Sequence, residues 1–175
     1  MSITPRETIE RIIRVDHAGE YGAKRIYQGQ LAVLKGTQWE PLIRHMQEQE
    51  EGHLRRFSDL IAERRVRPTA LLPIWHVAGF LLGAATAAMG HRAAMACTVA
   101  VEEAIDAHYR AQEAELADDP AEAELAADIA RFRAEELEHR DTGIAHEAEL
   151  TPGYRLLSAA IKLGCRVAIR LSERI

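Results

Sequence analysis

Apolar residues recur at intervals of three and four along most of the chain, a spacing that predicts amphipathic α-helices. Prolines and glycines divide this pattern, and no stretch alternates polar and apolar residues between turn signals as a strand would. We therefore predict an all-α chain. Counted in chain order, with the segment between Pro68 and Gly90 as the third, its helices run from about Pro5 to Lys35, from Pro41 to the Arg64–Arg65 region, from near Arg92 to Asp118–Asp119, from Pro120 to Thr151–Gly153, and from Tyr154 to the C-terminus.

The second and fifth helices each carry a Glu-x-x-His pair, Glu50–His53 and Glu136–His139, within an apolar stripe. A spacing of three places both side chains on one face of a helix, where a carboxylate and an imidazole can bind the same metal ion. A buried carboxylate is costly, and metal ligation is one way to keep it charged. The two stripes consist of Ile43, Met46, Glu50, His53, Phe57 and Leu60, and of Leu125, Ile129, Phe132, Glu136, His139, Gly143, His146 and Leu150.

The first and fourth helices each offer one glutamate on their apolar stripe, Glu20 and Glu102. Each glutamate is followed seven residues later by a tyrosine, Tyr27 or Tyr109. Each of these helices precedes one with Glu-x-x-His, so the chain contains a weak repeat of two helical hairpins. The stripes consist of Ile13, His17, Glu20, Tyr27, Leu31 and Leu34, and of Thr98, Glu102, Ile105, Tyr109 and Leu116.

Acidic residues beside the candidate ligands of the fourth helix fall on a polar face. Glu103 shares this face with Asp106, Arg110 and Glu113, so we prefer Glu102 as the ligand. Asp16 and Asp106 each lie one turn from a candidate ligand, a position from which they could orient ligand histidines. We interpret both as solvated surface acids.

The fifth helix requires the same choice. Glu135 and Glu138 lie on a polar face and are interpreted as solvated, which leaves Glu136 as the ligand. His146, two turns beyond His139, is interpreted as a hydrogen-bonded core histidine and not as a ligand.

One glutamate from each of two helices and Glu-x-x-His from each of two others is the ligand pattern of di-iron carboxylate bundles. Glu102 lies sixteen residues before Asp118 and Glu136 sixteen after Pro120. At a rise of about 1.5 Å per residue, both therefore reach the same height in a hairpin. A carboxylate-rich set without thiolates favours two iron ions per chain over zinc, with manganese as the alternative. The predicted ligands are Glu20, Glu50, His53, Glu102, Glu136 and His139.

We expect residues 1–175 to form a single ferritin-like di-iron domain, a four-helix bundle with a crossover helix and a C-terminal helix. The crossover is the segment Pro68–Gly90, which has no Asp, Glu, Lys or Arg and is long enough to resemble a transmembrane span. A span would separate the ligands before it from those after it by about 30 Å. Gly79, Gly83 and Ala87 instead form a small-residue row suited to close helix packing. Its apolar outer face either enters a membrane surface or belongs to an ordinary buried crossover or an oligomer interface.

The formal net charge of −5 argues against a nucleic acid as the main partner, because the phosphate backbone attracts basic surfaces. Part of the acidic excess is accounted for by the predicted metal ligands.

From Ile12 to the C-terminus, the sequence resembles the demethoxyubiquinone hydroxylase family of ubiquinone biosynthesis. All six predicted ligands match the ligand positions of that family. The resemblance is carried, in order, by the segments IRVDHAGEYGAKRIYQGQ, QEEGHLRRF, RVRPTALLPIW, AMACTVAVEEAIDAHY, FRAEELEHRDTG and GCRVAIRLSERI.

The resemblance implies a monooxygenase that uses O2 to hydroxylate the ring of a polyprenylated demethoxy-benzoquinone. NADH would supply the electrons through the quinone itself, and the sequence has no G-x-G-x-x-G dinucleotide fingerprint. His108 and Tyr109 match the family's His–Tyr pair and would help to reduce the quinone. Tyr27 and Tyr109 either line the quinone pocket, relay electrons or are aromatic core.

The family also works with a lipid-binding partner protein of the same pathway. We expect peripheral association with the cytoplasmic side of a bacterial membrane, or with the mitochondrial inner membrane in a eukaryote. Two other hypotheses are a ferritin-like iron oxidase or iron store, which needs no organic substrate, and a non-enzymatic helical membrane adaptor, which needs no iron.

Overall fold

The computed structural model describes residues 4–175, and this part of the chain is built of α-helices with no strand. The α-helices are α1 (Pro5–Leu34), α2 (Glu40–Arg64), α3 (Leu72–Ala88), α4 (His91–Leu116), α5 (Ala123–Ala145) and α6 (Tyr154–Ser172). Short 3-10 helices cover Pro120–Glu122 and Ala148–Leu150. The predicted fold class is confirmed: the chain is all-α, with crossover helix α3 and C-terminal helix α6, and its helix order agrees with a ferritin-like bundle.

Helix α5 ends at Ala145, earlier than the predicted end at Thr151–Gly153. Glu147 adopts the left-handed conformation with φ of 66°, which a non-glycine residue rarely occupies and which stops an α-helix. The guanidinium of Arg92 donates two hydrogen bonds of 3.0 and 2.9 Å to the Glu147 carboxylate and stabilises this turn. The turn directs Leu150 outward, so its predicted place on the apolar stripe was wrong: its exposed fraction is 60 %.

The described residues form two compact units, and the first comprises residues 4–91 together with Arg166–Ile175. Within it, α3 packs very closely on α1, because a Cβ atom at Gly83 would lie only 1.9 Å from the Ile26 carbonyl oxygen. A Cβ at Gly79 would lie 2.9 Å from the carbonyl oxygen of Gly22, and Ala87 is buried. The predicted small-residue row therefore makes the α1–α3 contact.

The position of α3 around α1 matters for the site. At about 100° per residue, Gly22 lies roughly 200° around the helix from Glu20, so α3 covers the back of α1. The face of α1 that carries Glu20 is left for α2. In the described part of the chain, no helix combines the length and the apolar character of a membrane span.

The last two turns of α6 and the residues that follow them belong to this first unit and are held by side chains of α1 and α3. The Arg11 guanidinium lies 3.1 Å from the Glu173 carboxylate. The indole N–H of Trp75 donates to the Ser172 hydroxyl at 3.0 Å. These contacts anchor the C-terminal end of the chain beside the start of the crossover helix.

The second unit is Arg92–Cys165 and contains the α4–α5 hairpin. Close packing of these helices is again set by a glycine, because a Cβ at Gly143 would lie 2.7 Å from the Val99 side chain. Arg133 of α5 also pairs with two carboxylates of α4. That residues 1–175 form a single domain stays a prediction, and residues 1–3 lie outside the described range.

Candidate metal centre

A triad of ligand-type side chains lies between α1 and α2 in the first unit. Glu20 comes from α1, and Glu50 and His53 come from α2. One ligand atom of each lies within 4.8 Å of the others, and none of the three residues is more than 2 % exposed. His53 Nδ1 is 3.3 Å from a carboxylate oxygen of Glu20. All six residues of the predicted α2 stripe are buried, which explains why both Glu50 and His53 face inward.

A second triad of the same composition lies between α4 and α5 in the second unit. One ligand atom of each of Glu102, Glu136 and His139 lies within 4.8 Å of the others, again with exposures of 2 % or less. His139 Nδ1 is 3.2 Å from a carboxylate oxygen of Glu136. Glu102 and Glu136 therefore reach one height, as the counting of residues from the turn predicted.

Each triad brings two carboxylates together in a buried place. Two negative charges at this spacing repel each other, and burial removes the water that would screen them. A bound cation relieves this repulsion, and the neighbouring imidazole is itself a common metal ligand. Two carboxylates and one imidazole form a donor set that suits iron or manganese, which accept oxygen and nitrogen ligands.

The acidic residues that we did not choose as ligands differ in how exposed they are. Glu138 is exposed, as predicted, whereas Glu135 is half-buried. The interpretation of Asp16 and Asp106 as solvated acids was wrong, since both are buried. For Asp106 the reason is Arg133, which belongs to α5 and donates to its carboxylate at 2.7 Å.

The tyrosines that follow Glu20 and Glu102 are both buried. Tyr27 and Tyr109 are each about 1 % exposed. His108, beside Tyr109, is half-buried, and its Nε2 lies 2.8 Å from the side-chain amide nitrogen of Gln112. Burial alone agrees with a place in a pocket and with a place in the core, so the roles of these side chains stay predictions.

Two buried amides were missed by the sequence reasoning. Gln30 and Gln112 are among the most buried polar side chains of their units. Each stands three residues after the tyrosine of its hairpin, so both hairpins share the pattern Glu-x6-Tyr-x2-Gln. This longer repeat was the signal that could have identified them.

Two further histidines lie near the triads along the helices. His17 stands one turn before Glu20, and burial lowers the pKa of its imidazole, which favours the neutral ring. His146 Nδ1 lies 2.8 Å from the Thr142 carbonyl oxygen, to which it can donate. His146 is thus hydrogen-bonded as predicted, although it is only half-buried.

A family model and several known proteins are similar to nearly the whole chain. The family model described as "Ubiquinone biosynthesis protein COQ7" matches residues 7–172. The rat "NADPH-dependent 3-demethoxyubiquinone 3-hydroxylase, mitochondrial" is 56% identical over 171 residues, covering 97% of this chain and 79% of the rat protein. The "3-demethoxyubiquinol 3-hydroxylase" of Rhodospirillum rubrum is 56% identical over 173 residues, which is 98% of this chain and 81% of that protein.

A more distant relative has a similar name. The "5-demethoxyubiquinone hydroxylase, mitochondrial" of Saccharomyces cerevisiae is 42% identical over 182 residues, covering 95% of this chain and 78% of the yeast protein. The resemblance found in the sequence is thereby confirmed. Since the family model and these relatives cover nearly its whole length, the chain belongs to the demethoxyubiquinone hydroxylase family of ubiquinone biosynthesis.

Proposed function

We propose that this chain is a di-iron monooxygenase that hydroxylates the ring of a polyprenylated demethoxy-benzoquinone. The observation that carries the proposal is the pair of matched triads, each with two buried glutamates and one buried histidine. The names of the relatives support the substrate class and the hydroxylation. The triads supply what that reaction needs, namely ligands for a redox metal.

The metal assignment follows from the donor chemistry. Both triads together would hold two iron ions per chain, with Glu20, Glu50 and His53 as one half and Glu102, Glu136 and His139 as the other. When bound, two irons that each change by one electron can handle oxygen in two-electron steps. The six residues contribute negative charge, fixed imidazoles and a buried setting from which bulk water is excluded. That residues 1–175 form a single di-iron domain is part of this proposal.

The overall reaction replaces one ring C–H bond by C–OH. One atom of O2 enters the product, and the other leaves as water with two electrons and one proton from a reduced nicotinamide nucleotide and a second proton from solvent. Starting from the quinone this gives the hydroxylated quinone, and a second equivalent of the nucleotide with another solvent proton reduces it to the hydroxylated quinol. We propose that His108 exchanges a proton with a quinone oxygen and that Tyr109 orients the ring. We also propose Tyr27 as a substrate-binding residue.

The electron donor that we predicted differs from the one that the names of some relatives specify. We predicted NADH, whereas the names of the rat and human relatives specify NADPH. We propose that a reduced nicotinamide nucleotide delivers electrons through the quinone itself. Parallel assays with NADH and NADPH at equal concentrations identify the preferred donor.

The deciding experiment measures oxygen uptake and nucleotide oxidation by iron-loaded protein, with and without a short-tailed demethoxyquinone. Omitting the quinone is expected to stop nearly all of both activities, and adding it to yield the hydroxylated quinol. A ferritin-like oxidase would instead consume oxygen with ferrous iron alone for many turnovers. A membrane adaptor would bind no iron.

We also propose that the protein associates peripherally with a membrane, where its substrate is dissolved. Large apolar side chains on α3 point into solvent, since Ile74, Val77 and Leu81 are 54 to 59 % exposed. Helix α6 adds exposed Leu156 and Leu163. Exposed cations of the same helix accompany these apolar residues, as expected of a helix at an anionic lipid surface: Arg155, Arg166 and Arg170.

The location that we propose is the cytoplasmic side of a bacterial membrane or the mitochondrial inner membrane of a eukaryote. The names of the rat and yeast relatives include the word mitochondrial. Following the family resemblance, we further propose a lipid-binding protein of the same pathway as the partner that delivers the quinone.

The membrane proposal predicts that Ile74→Glu, Val77→Glu and Leu81→Glu, combined in one variant, weaken binding to anionic vesicles at least about tenfold. Each change places a charge where an apolar side chain would enter the lipid, at a cost of about 1 kcal/mol or more. Vesicle flotation measures the effect. Val33→Glu, at an exposed apolar position of α1, is the matched control, and iron content should stay unchanged in both variants. Equal flotation of the triple variant and the wild type would contradict the proposal.

A further inference from the structure

Arg133 of α5 holds two carboxylates of the facing helix α4. Its Nε donates to Asp106 at 2.7 Å, and its terminal Nη1 donates to Glu113 at 2.8 Å. The Asp106 carboxylate also accepts from Arg110 of its own helix. Arg133 itself is largely covered, with 26 % of its side chain exposed, and Asp106 is 6 % exposed. These four residues form one ionic cluster between the two helices.

The geometry of this cluster is sensitive to the axial position of the helices. Asp106 and Glu113 are seven residues apart on α4, which is about 10 Å along the helix axis. A guanidinium is planar and rigid, and its donors diverge in fixed directions. If α5 slid by one residue, about 1.5 Å, the guanidinium could not keep both hydrogen bonds at these lengths. Arg133 therefore fixes the register of α5 against α4.

The same register sets the second triad. Asp106 follows Glu102 by four residues, and Arg133 precedes Glu136 by three. Because α4 and α5 run in opposite directions, both offsets point towards the same end of the hairpin. The Asp106–Arg133 pair thus lies about one turn from the level at which Glu102, Glu136 and His139 converge, and Glu113 lies further towards the same end.

Arg131, a neighbouring arginine, differs from Arg133 because its ion pair lies within one helix. Arg131 also belongs to α5, but its partner Asp128, at 2.7 Å, lies on the same helix. An ion pair within one helix cannot determine how that helix is placed against another. Arg131 is also 58 % exposed, as is usual for a surface pair.

We propose that Arg133 is a positioning residue for the metal centre: by bridging Asp106 and Glu113 it holds the α4–α5 register that preorganises Glu102, Glu136 and His139. This inference rests on the proposed function, since it assigns Arg133 a role towards the metal ligands. Mutation of a residue that positions metal ligands without binding the metal typically lowers the metal affinity by about 10- to 100-fold.

The test is a cobalt(II) titration of the full chain, which reports affinity and the visible absorption spectrum of the bound ion. Arg133→Lys keeps the positive charge but cannot donate to both carboxylates along one rigid plane. It is expected to raise the dissociation constant of the weaker cobalt ion about tenfold and to alter the spectrum. Glu113→Gln removes only one charged arm and should cause a smaller increase, and Arg131→Lys is the matched control without effect.

Circular dichroism of the metal-free variants separates positioning from folding, because a merely structural role would not change affinity in proteins that stay equally helical. If Arg133→Lys loses helicity, the cobalt affinity of Glu113→Gln decides the question, because this variant keeps the ion pair between Arg133 and the buried Asp106. Wild-type affinity and spectrum in the folded variants would overturn the positioning role while the metal centre stands. A wild-type chain that binds no cobalt would overturn the metal centre, and this inference with it.

Discussion

Glu136→Ala is expected to lose at least one of two iron ions per chain while the protein stays helical. The carboxylate of Glu136 is fully buried within the second triad, so no other acidic group of α5 can replace it from the solvent side. Removing it also ends its repulsion with Glu102, which offsets part of the cost of the cavity that the truncation leaves. The metal-free variant should therefore still fold.

The measurement is iron per chain after anaerobic loading with ferrous iron and desalting, together with far-ultraviolet circular dichroism. Glu138→Ala is the matched control, because Glu138 is exposed on the same helix only two residues away. It should keep the wild-type iron content. His53→Ala tests the first triad in the same way. A wild-type chain that retains no more than one iron ion, or a Glu136→Ala variant that retains two, would contradict the assignment.

The second large effect that we expect is the loss of quinone hydroxylation. Glu102→Ala should reduce formation of the hydroxylated quinol to background, because the buried carboxylate that α4 contributes to the second triad is gone. Glu103→Gln is the control: Glu103 is the adjacent residue, but its carboxylate contacts Lys162 of α6 and not the triad. Product is measured with quinone, O2 and a reduced nicotinamide nucleotide. Equal loss of activity in both variants would contradict the choice of Glu102.

The same assay separates metal binding from handling of the quinone. His108→Gln should slow turnover by about 10²-fold, the lower end of the usual contribution of one general acid or base, and Tyr109→Ala should also slow it because the ring that orients the quinone is removed. Their iron content should stay close to that of the wild type, since neither residue belongs to a triad. A parallel fall of iron and turnover would instead identify these side chains as structural.

The positions of the candidate ligands were predictable from the sequence because they depend on one local rule. An α-helix repeats every 3.6 residues, so a glutamate in register with apolar neighbours must point with them into the core. The α2 stripe shows this most clearly, since Glu50 and His53 are buried together with all their predicted companions. The adjacent Glu51 and Glu103 lie about 100° away around their helices and are half-exposed.

Other features required the tertiary structure because their causes lie far away along the chain. Asp106 is buried because Arg133, twenty-seven residues later, reaches it from the facing helix, and no local pattern reveals such a partner. Helix α5 ends early at a left-handed Glu147 that Arg92 holds from fifty-five residues away. Sequence periodicity thus determined which faces of the helices are buried and that the six candidate ligands lie on them. The contacts between helices decided where a helix stops and which of its polar residues are paired, since those energies depend on groups that meet only after folding.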